Sequence, residues 1–135
     1  EMIGGEFRGH GKPFRGIIKV VDPDHPTMDN IVDGIEHMDE WYLFRKLNEE
    51  TMHVLALMDP GPERAKQEMY DLAPYPVIWC STLGDGRVYF NALGHGIGTW
   101  LDEDFQKIIV DGLEWAAGEG QAQAEPNYNE VVPKE

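Results

Sequence analysis

Two runs rich in β-forming residues, Val77-Ile78-Trp79-Cys80-Ser81-Thr82-Leu83 and Arg87-Val88-Tyr89-Phe90-Asn91, are separated only by Gly84-Asp85-Gly86. Asp-Gly between two such runs predicts a β-hairpin over Pro76 to Asn91, and few other arrangements accommodate so short a connection. The second arm carries on through Ala92-Leu93 and breaks at Gly94-His95-Gly96, where paired glycines free the backbone to turn sharply. A histidine delivered there sits at a strand's carboxyl end, the edge at which open α/β sheets bind ligands. His95 therefore has two readings, an imidazole presented to a ligand or a loop histidine facing water.

The rest of the chain supplies elements to pack on this hairpin. Gly4, Gly5, Gly9 and Gly11 crowd around Phe7 and His10, so residues 1–13 read as a shaped loop. Phe14 to Asp22 reads as a strand closed by Asp22-Pro23, and His25, before Pro26, as a turn-stabilising residue. Asp29 to Ile35 is expected to form a helical turn with Ile31, Val32 and Ile35 inward. In Asp39-Glu40-Trp41-Tyr42, side chains that alternate along a strand would send one carboxylate into a polar cleft; a solvated charged edge is the other reading. Met52 to Asp59 reads as a short buried strand with His53 packed inside it, and residues 63–74 as a mixed connection with one helical turn. Cys80 falls within the hairpin and reads as a small buried hydrophobe. Asp102 to Gly118 carries the clearest helical period, with Phe105, Ile108, Ile109, Leu113 and Ala116 predicted inward and Trp115 off that stripe.

This order lacks the alternating βαβ units of a whole doubly wound sheet, which points to half of an α/β domain. At 135 residues the chain suffices for one domain. The division expected is a folded portion over 1–118 and an acidic, proline-containing, mobile tail over 119–135. A net charge of −14 argues against nucleic acid and anionic membrane surfaces. No segment approaches the ~20 continuous apolar residues of a membrane helix, which fits a soluble protein. One cysteine excludes an internal disulfide framework. The chain starts at Glu1 without a charged-then-apolar signal sequence, and reads as a processed or truncated product. A half-domain is also expected to expose an apolar edge or face, and so to self-associate or pair with a missing N-terminal half.

Taken together, Gly4-Gly5-x-Phe7-x-Gly9-His10, Asp22-Pro23-Asp24-His25-Pro26, Asp39-Glu40-x-Tyr42, Pro76-Val77-x-Trp79, Gly86-Arg87-Val88-Tyr89-Phe90, Leu93-Gly94-His95 and Gly112-x-x-x-Trp115-Ala116-Ala117-Gly118 resemble the trehalose-utilisation (ThuA-like) proteins over about Met2 to Gly118. The resemblance implies a flavodoxin-like, three-layer α/β domain similar to class I glutamine amidotransferases. The chain would match its C-terminal half, ending in the hairpin and the long helix. Glutamine hydrolysis is not implied, because ThuA-like proteins tend to have a His-Ser pair where amidotransferases carry the nucleophilic cysteine; Cys80, in the hairpin strand, does not match that position. The polar residues matching family motifs are His10, Glu40, Tyr42 and His95, with Asp39 and His25 in supporting roles. Two histidines and a carboxylate can give a zinc-like divalent ion three ligands and leave one position open. They can equally act as acid, base and orienting group on a sugar hydroxyl or ketone. The implied ligand is a small carbohydrate, trehalose or a keto-disaccharide, against which Trp41, Tyr42 and Trp100 would pack. The implied activity is hydrolase- or isomerase-like. The competing reading is a non-catalytic binding or scaffolding module of a sugar-oxidising system.

Overall fold

A computed structural model describes residues 2–134. Its strands are β1 (Glu6–His10), β2 (Phe14–Val20), β3 (Glu36–Asp39), β4 (Tyr42–Arg45), β5 (His53–Asp59), β6 (Tyr75–Leu83) and β7 (Gly86–Asn91). The α-helices are α1 (Ile97–Trp100), α2 (Glu103–Ala116) and α3 (Tyr128–Val131), and single 3-10 turns cover Pro26–Met28, Gly61–Ala65 and Glu68–Tyr70. Five strands form one sheet in the order β3-β2-β5-β6-β7, and β1 with β4 forms a separate pair. Every pairing among the described residues is antiparallel. The open-sheet edge rule therefore does not explain where His95 lies, and its position must come from the loop itself.

The central strands read as unbroken apolar runs because both faces of the sheet are covered. Val54 to Met58 and Val77 to Cys80 are all buried. The larger cluster joins Phe14, Trp41, Leu55, Tyr70, Ile78 and Trp115, and a second joins Met52, Val54, Leu57 and Trp79. Cys80 is fully buried, as read from the sequence, and burial pushes its thiol up to about 12, which removes it as a nucleophile.

The hairpin closes as predicted, with Leu83 opposite Gly86. The residues before β2 correct the sequence reading: five of them form β1, which pairs with β4. No helix covers Asp29 to Ile35; the single 3-10 turn ends at Met28, and Val32 and Ile35 are exposed. Helix α2 lies where predicted, with Asp102 as its N-cap accepting from the N–H groups of Asp104 and Phe105. Its buried stripe is rotated, however, running through Phe105, Ile108, Gly112 and Trp115, while Leu113 is 64% exposed. Gly112 has no apolar side chain and so gave no signal, yet it is the contact point: a Cβ there would lie 2.3 Å from the Tyr89 ring of β7. The Arg87 guanidinium ties down the end of α2 by donating to the carbonyls of Trp115, Glu119 and Gly120.

The stretch expected as a mobile tail lies against the sheet. Buried His25 stabilises its turn as expected, with Nδ1 accepting from the Thr27 N–H, and Nε2 also donates to the Gln123 carbonyl at 3.0 Å. His53 meets the Glu125 carbonyl at 2.5 Å and the Asp22 carboxylate at 2.8 Å, the packed and satisfied histidine read from the sequence. The Asn127 side chain accepts from the Val54 N–H and donates to the Val54 carbonyl, standing in for a strand partner that β2 does not extend far enough to provide. Among the described residues no helix is long and apolar enough to cross a membrane.

Gly112 supplies a direct check on this packing. Replacing it by Ala should improve local helix propensity by ~1 kcal/mol, yet overpacking against Tyr89 should outweigh that and leave the protein destabilised by about 1–2 kcal/mol in urea unfolding. Gly98 in α1 faces open space, so Gly98→Ala is the matched control and should be neutral or mildly stabilising. Equal behaviour of the two variants would show that α2 does not sit this close to β7.

Candidate functional site: a His-Glu-His cluster

Three segments meet at one edge of the molecule: the end of β1, the corner between β3 and β4, and the loop after β7. The pairing of β1 with β4 sets His10 opposite Tyr42, so both rings project from one face, with centroids 5.6 Å apart. Only Glu40 and Trp41 connect β3 to β4. Trp41 turns into the core, where its indole N–H donates to the Phe14 carbonyl, and its neighbour Glu40 is left half-buried at the surface. The Tyr70 hydroxyl holds the two segments together, accepting from the Gly11 N–H at 2.8 Å and donating to the Trp41 carbonyl at 2.7 Å. Burial pushes the Tyr70 pKa up, so the phenol stays a donor.

His95 is brought in by Asp39. This buried carboxylate accepts from the backbone N–H groups of Gly94 (2.7 Å), Glu40 (2.9 Å) and Gly96 (3.2 Å), and from the Thr99 hydroxyl at 3.5 Å. His37 Nε2 lies 3.6 Å away. Burial works against its ionised form, but the nearby His37 imidazole and the hydrogen bonds from the three N–H groups outweigh that and hold the Asp39 carboxyl below its ordinary range. Gly94 has φ +105°, a left-handed conformation that suits glycine, and its carbonyl accepts from the Trp100 indole at 2.7 Å. The loop is clamped on both sides of His95.

The result is a cluster. His95 Nδ1 lies in direct ion-pair contact with Glu40 Oε2, and His10 Nδ1 lies 3.6 Å from the same oxygen. The two imidazole centroids are 5.0 Å apart, and the Tyr42 ring centroid is 5.2 Å from that of His95. One ligand atom from each of His10, Glu40 and His95 lies within 4.8 Å of the others. About a third of each of the three side chains is exposed, so solutes can reach them. His10 Nδ1 is 3.0 Å from the Gly11 carbonyl; a proton held there leaves Nε2 as a lone-pair donor.

Of the sequence-derived candidates, His10, Glu40, Tyr42 and His95 come together, Asp39 lies directly beneath them, and His25 is remote, in the turn beneath Gln123. One aromatic expectation fails: Trp41 is 1% exposed and belongs to the core. Trp100 packs on Phe105 and braces the Gly94 carbonyl, and remains 51% exposed. Residues missed in the sequence are Tyr70, Thr99 and His37, whose roles depend on contacts 29 to 62 residues distant along the chain. A separate apolar groove, lined by Ile18, Val32, Ile35, Leu93, Phe105 and Ile108, includes none of the cluster.

Comparison with known proteins bears on this geometry. A family model described as ThuA, trehalose utilisation, matches residues 1–116. Two solved structures share the fold. One is a ThuA-like protein from Bacteroides uniformis ATCC 8492, at TM-score 0.64 and 18% identity, covering 93% of this chain and 52% of that one. The other is a ThuA-like protein from Parabacteroides merdae ATCC 43184, at TM-score 0.65 and 21% identity, covering 93% of this chain and 46% of that one. The chain thus spans about half the length of the solved structures it matches. No curated protein matches it.

Asp39 should behave as the anchor of the His95 loop. Asp39→Asn keeps the shape but turns an NH2 toward groups that already donate, leaving at least one N–H unpaired at a cost of about 1–3 kcal/mol. Because the folded pKa lies below the ordinary 3.8, the ionised Asp39 stabilises the fold above that value, and this stabilisation is lost as pH falls below 3.8 through the folded pKa. Urea midpoints measured from pH 6 to pH 2 should show this acid-side loss in the native protein and a smaller one in the variant. Identical profiles would remove Asp39 from the loop's support.

Proposed function

The chain belongs to the trehalose-utilisation (ThuA) family, and on that premise we propose that it is a carbohydrate-metabolism protein acting on trehalose or a related keto-disaccharide at the His10, Glu40 and His95 cluster. The observation that carries this reading is the convergence of two imidazoles and one carboxylate, drawn from three separate segments, on a solvent-accessible edge. The donor set suits a divalent ion such as zinc: nitrogen and carboxylate oxygen are its usual ligands, and three protein ligands leave a position open. His10, Glu40 and His95 would hold the ion, which would polarise a sugar oxygen when bound. The chain's own groups supply the rest. Without the ion, Glu40 and His95, in direct contact, can instead pass a proton to or from a sugar hydroxyl or ketone, chemistry of the hydrolase or isomerase type. Tyr42 flanks both histidines and can orient a hydroxyl.

A second reading has its own support. The chain spans about half the length of the structures it matches, and Ile97 and Leu101 are 81% and 75% exposed. Both features suit the C-terminal half of a flavodoxin-like, amidotransferase-like three-layer domain, working as a binding or scaffolding module that self-associates or pairs with an N-terminal half. Sedimentation at micromolar concentration should then show association that weakens on Ile97→Ser with Leu101→Ser. A monomer at all concentrations would count against it.

Zinc titration by calorimetry tests the metal site. The native chain should bind one equivalent, and Glu40→Gln or His95→Ala should each weaken binding by more than about a hundredfold, beyond what loss of an outer-sphere partner causes. A native chain without affinity for zinc, or variants that bind as well as the native chain, would remove the ion from the proposal and leave acid-base chemistry alone.

A further inference from the structure

Strand β1 contains an irregularity that decides which side chains face the cluster. Phe7 pairs with Phe44 and Gly9 with Leu43, so Arg8 is an extra residue and β1 is bulged at Arg8-Gly9. In a regular strand, residues 7 and 10 would project from opposite faces, because side chains alternate. The bulge shifts the alternation by one and brings Phe7 to the face that carries His10 and Tyr42. The Phe7 and Tyr42 rings meet edge to face at 4.9 Å, and the Phe7 and His10 rings are 6.4 Å apart. Phe7 nonetheless remains 52% exposed. An apolar ring is thus turned out of the strand's regular pattern, next to a polar cluster, with about half its surface facing solvent.

We infer that Phe7 and Tyr42 form a stacking subsite for the apolar C–H face of a pyranose ring whose hydroxyl or keto oxygen is held by His10, Glu40 and His95. The inference rests on the carbohydrate reading above and adds to it the place where the sugar ring sits. A pyranose presents hydroxyls at its rim and C–H groups on its face, so it matches an aromatic wall beside polar side chains. The edge-to-face contact with Tyr42 fixes the Phe7 ring, which lowers the entropy lost on stacking. An acyclic polyol carries the same hydroxyls without a ring face and gains nothing from this wall.

The test is NMR titration of the full chain with trehalose, following the ring signals of Phe7, Tyr42, His10 and His95, with sorbitol as the acyclic control. Trehalose should shift all four, and sorbitol should leave Phe7 unmoved. Phe7→Ala should weaken trehalose binding about tenfold, Phe7→Leu should weaken it similarly because it keeps apolar bulk without a ring, and Phe7→Trp should restore it. If trehalose shifts the two histidines while Phe7 stays silent and Phe7→Leu binds as the native chain does, the subsite is wrong and the carbohydrate reading survives. If trehalose shifts none of the four, the carbohydrate reading fails and the subsite fails with it.

Discussion

The buried Asp39 carboxylate is the interaction on which the site depends. A carboxylate taken out of water is costly unless its lone pairs find donors, and here three backbone N–H groups and the Thr99 hydroxyl, itself bonded to the His37 imidazole, supply them. Two of those N–H groups, from Gly94 and Gly96, bracket His95. One charge therefore fixes the end of β3 and the loop after β7 at once, which joins the two edge strands of the five-stranded sheet across their common end. Tyr70 does the same work for β1 and the β3–β4 corner, using a neutral hydroxyl in place of a charge. The side chains that face a solute are thus carried by loops and a short strand, while the groups that hold them in place are buried.

This division explains what the sequence made legible. The hairpin and α2 came through because their signals are local: a turn dipeptide between β-rich runs, and an apolar period of 3.6 residues. The phase of α2 was misread because its closest contact is made by Gly112, and an absent side chain leaves no mark in an apolar pattern. Strand β1 was hidden because its glycines mimic a loop, and only pairing with β4, 35 or so residues later, makes it a strand. His10, Glu40, Tyr42 and His95 were found through family motifs. Periodicity alone could not have grouped residues 10, 40 and 95. Phe7 could not be assigned to a face at all, since its orientation depends on a bulge that only the register with β4 reveals.

The all-antiparallel sheet changes how the site is understood. In a parallel α/β sheet, strand ends and helix N-termini assemble a ligand site together. Here α1 is a single turn whose N-cap, Gly96, gives its N–H to Asp39 and so is already satisfied. The cluster's polarity comes from side chains alone. That makes it sensitive to the two anchors beneath it and indifferent to most of the core.

The residues that follow the family match complete the backbone of those that precede it. The match ends at residue 116, yet the N–H and carbonyl of Val54 and the carbonyl of Met52 all bond to Asn127. The imidazoles of His25 and His53, the indole of Trp115 and the guanidinium of Arg87 all reach carbonyls between residues 119 and 125. An unpaired edge on an apolar strand such as β5 is a template for joining another chain. The length of chain that is recognisable by family is therefore shorter than the length that seals its own strand edge, and a domain boundary drawn at residue 116 would cut through the hydrogen bonding of the central sheet.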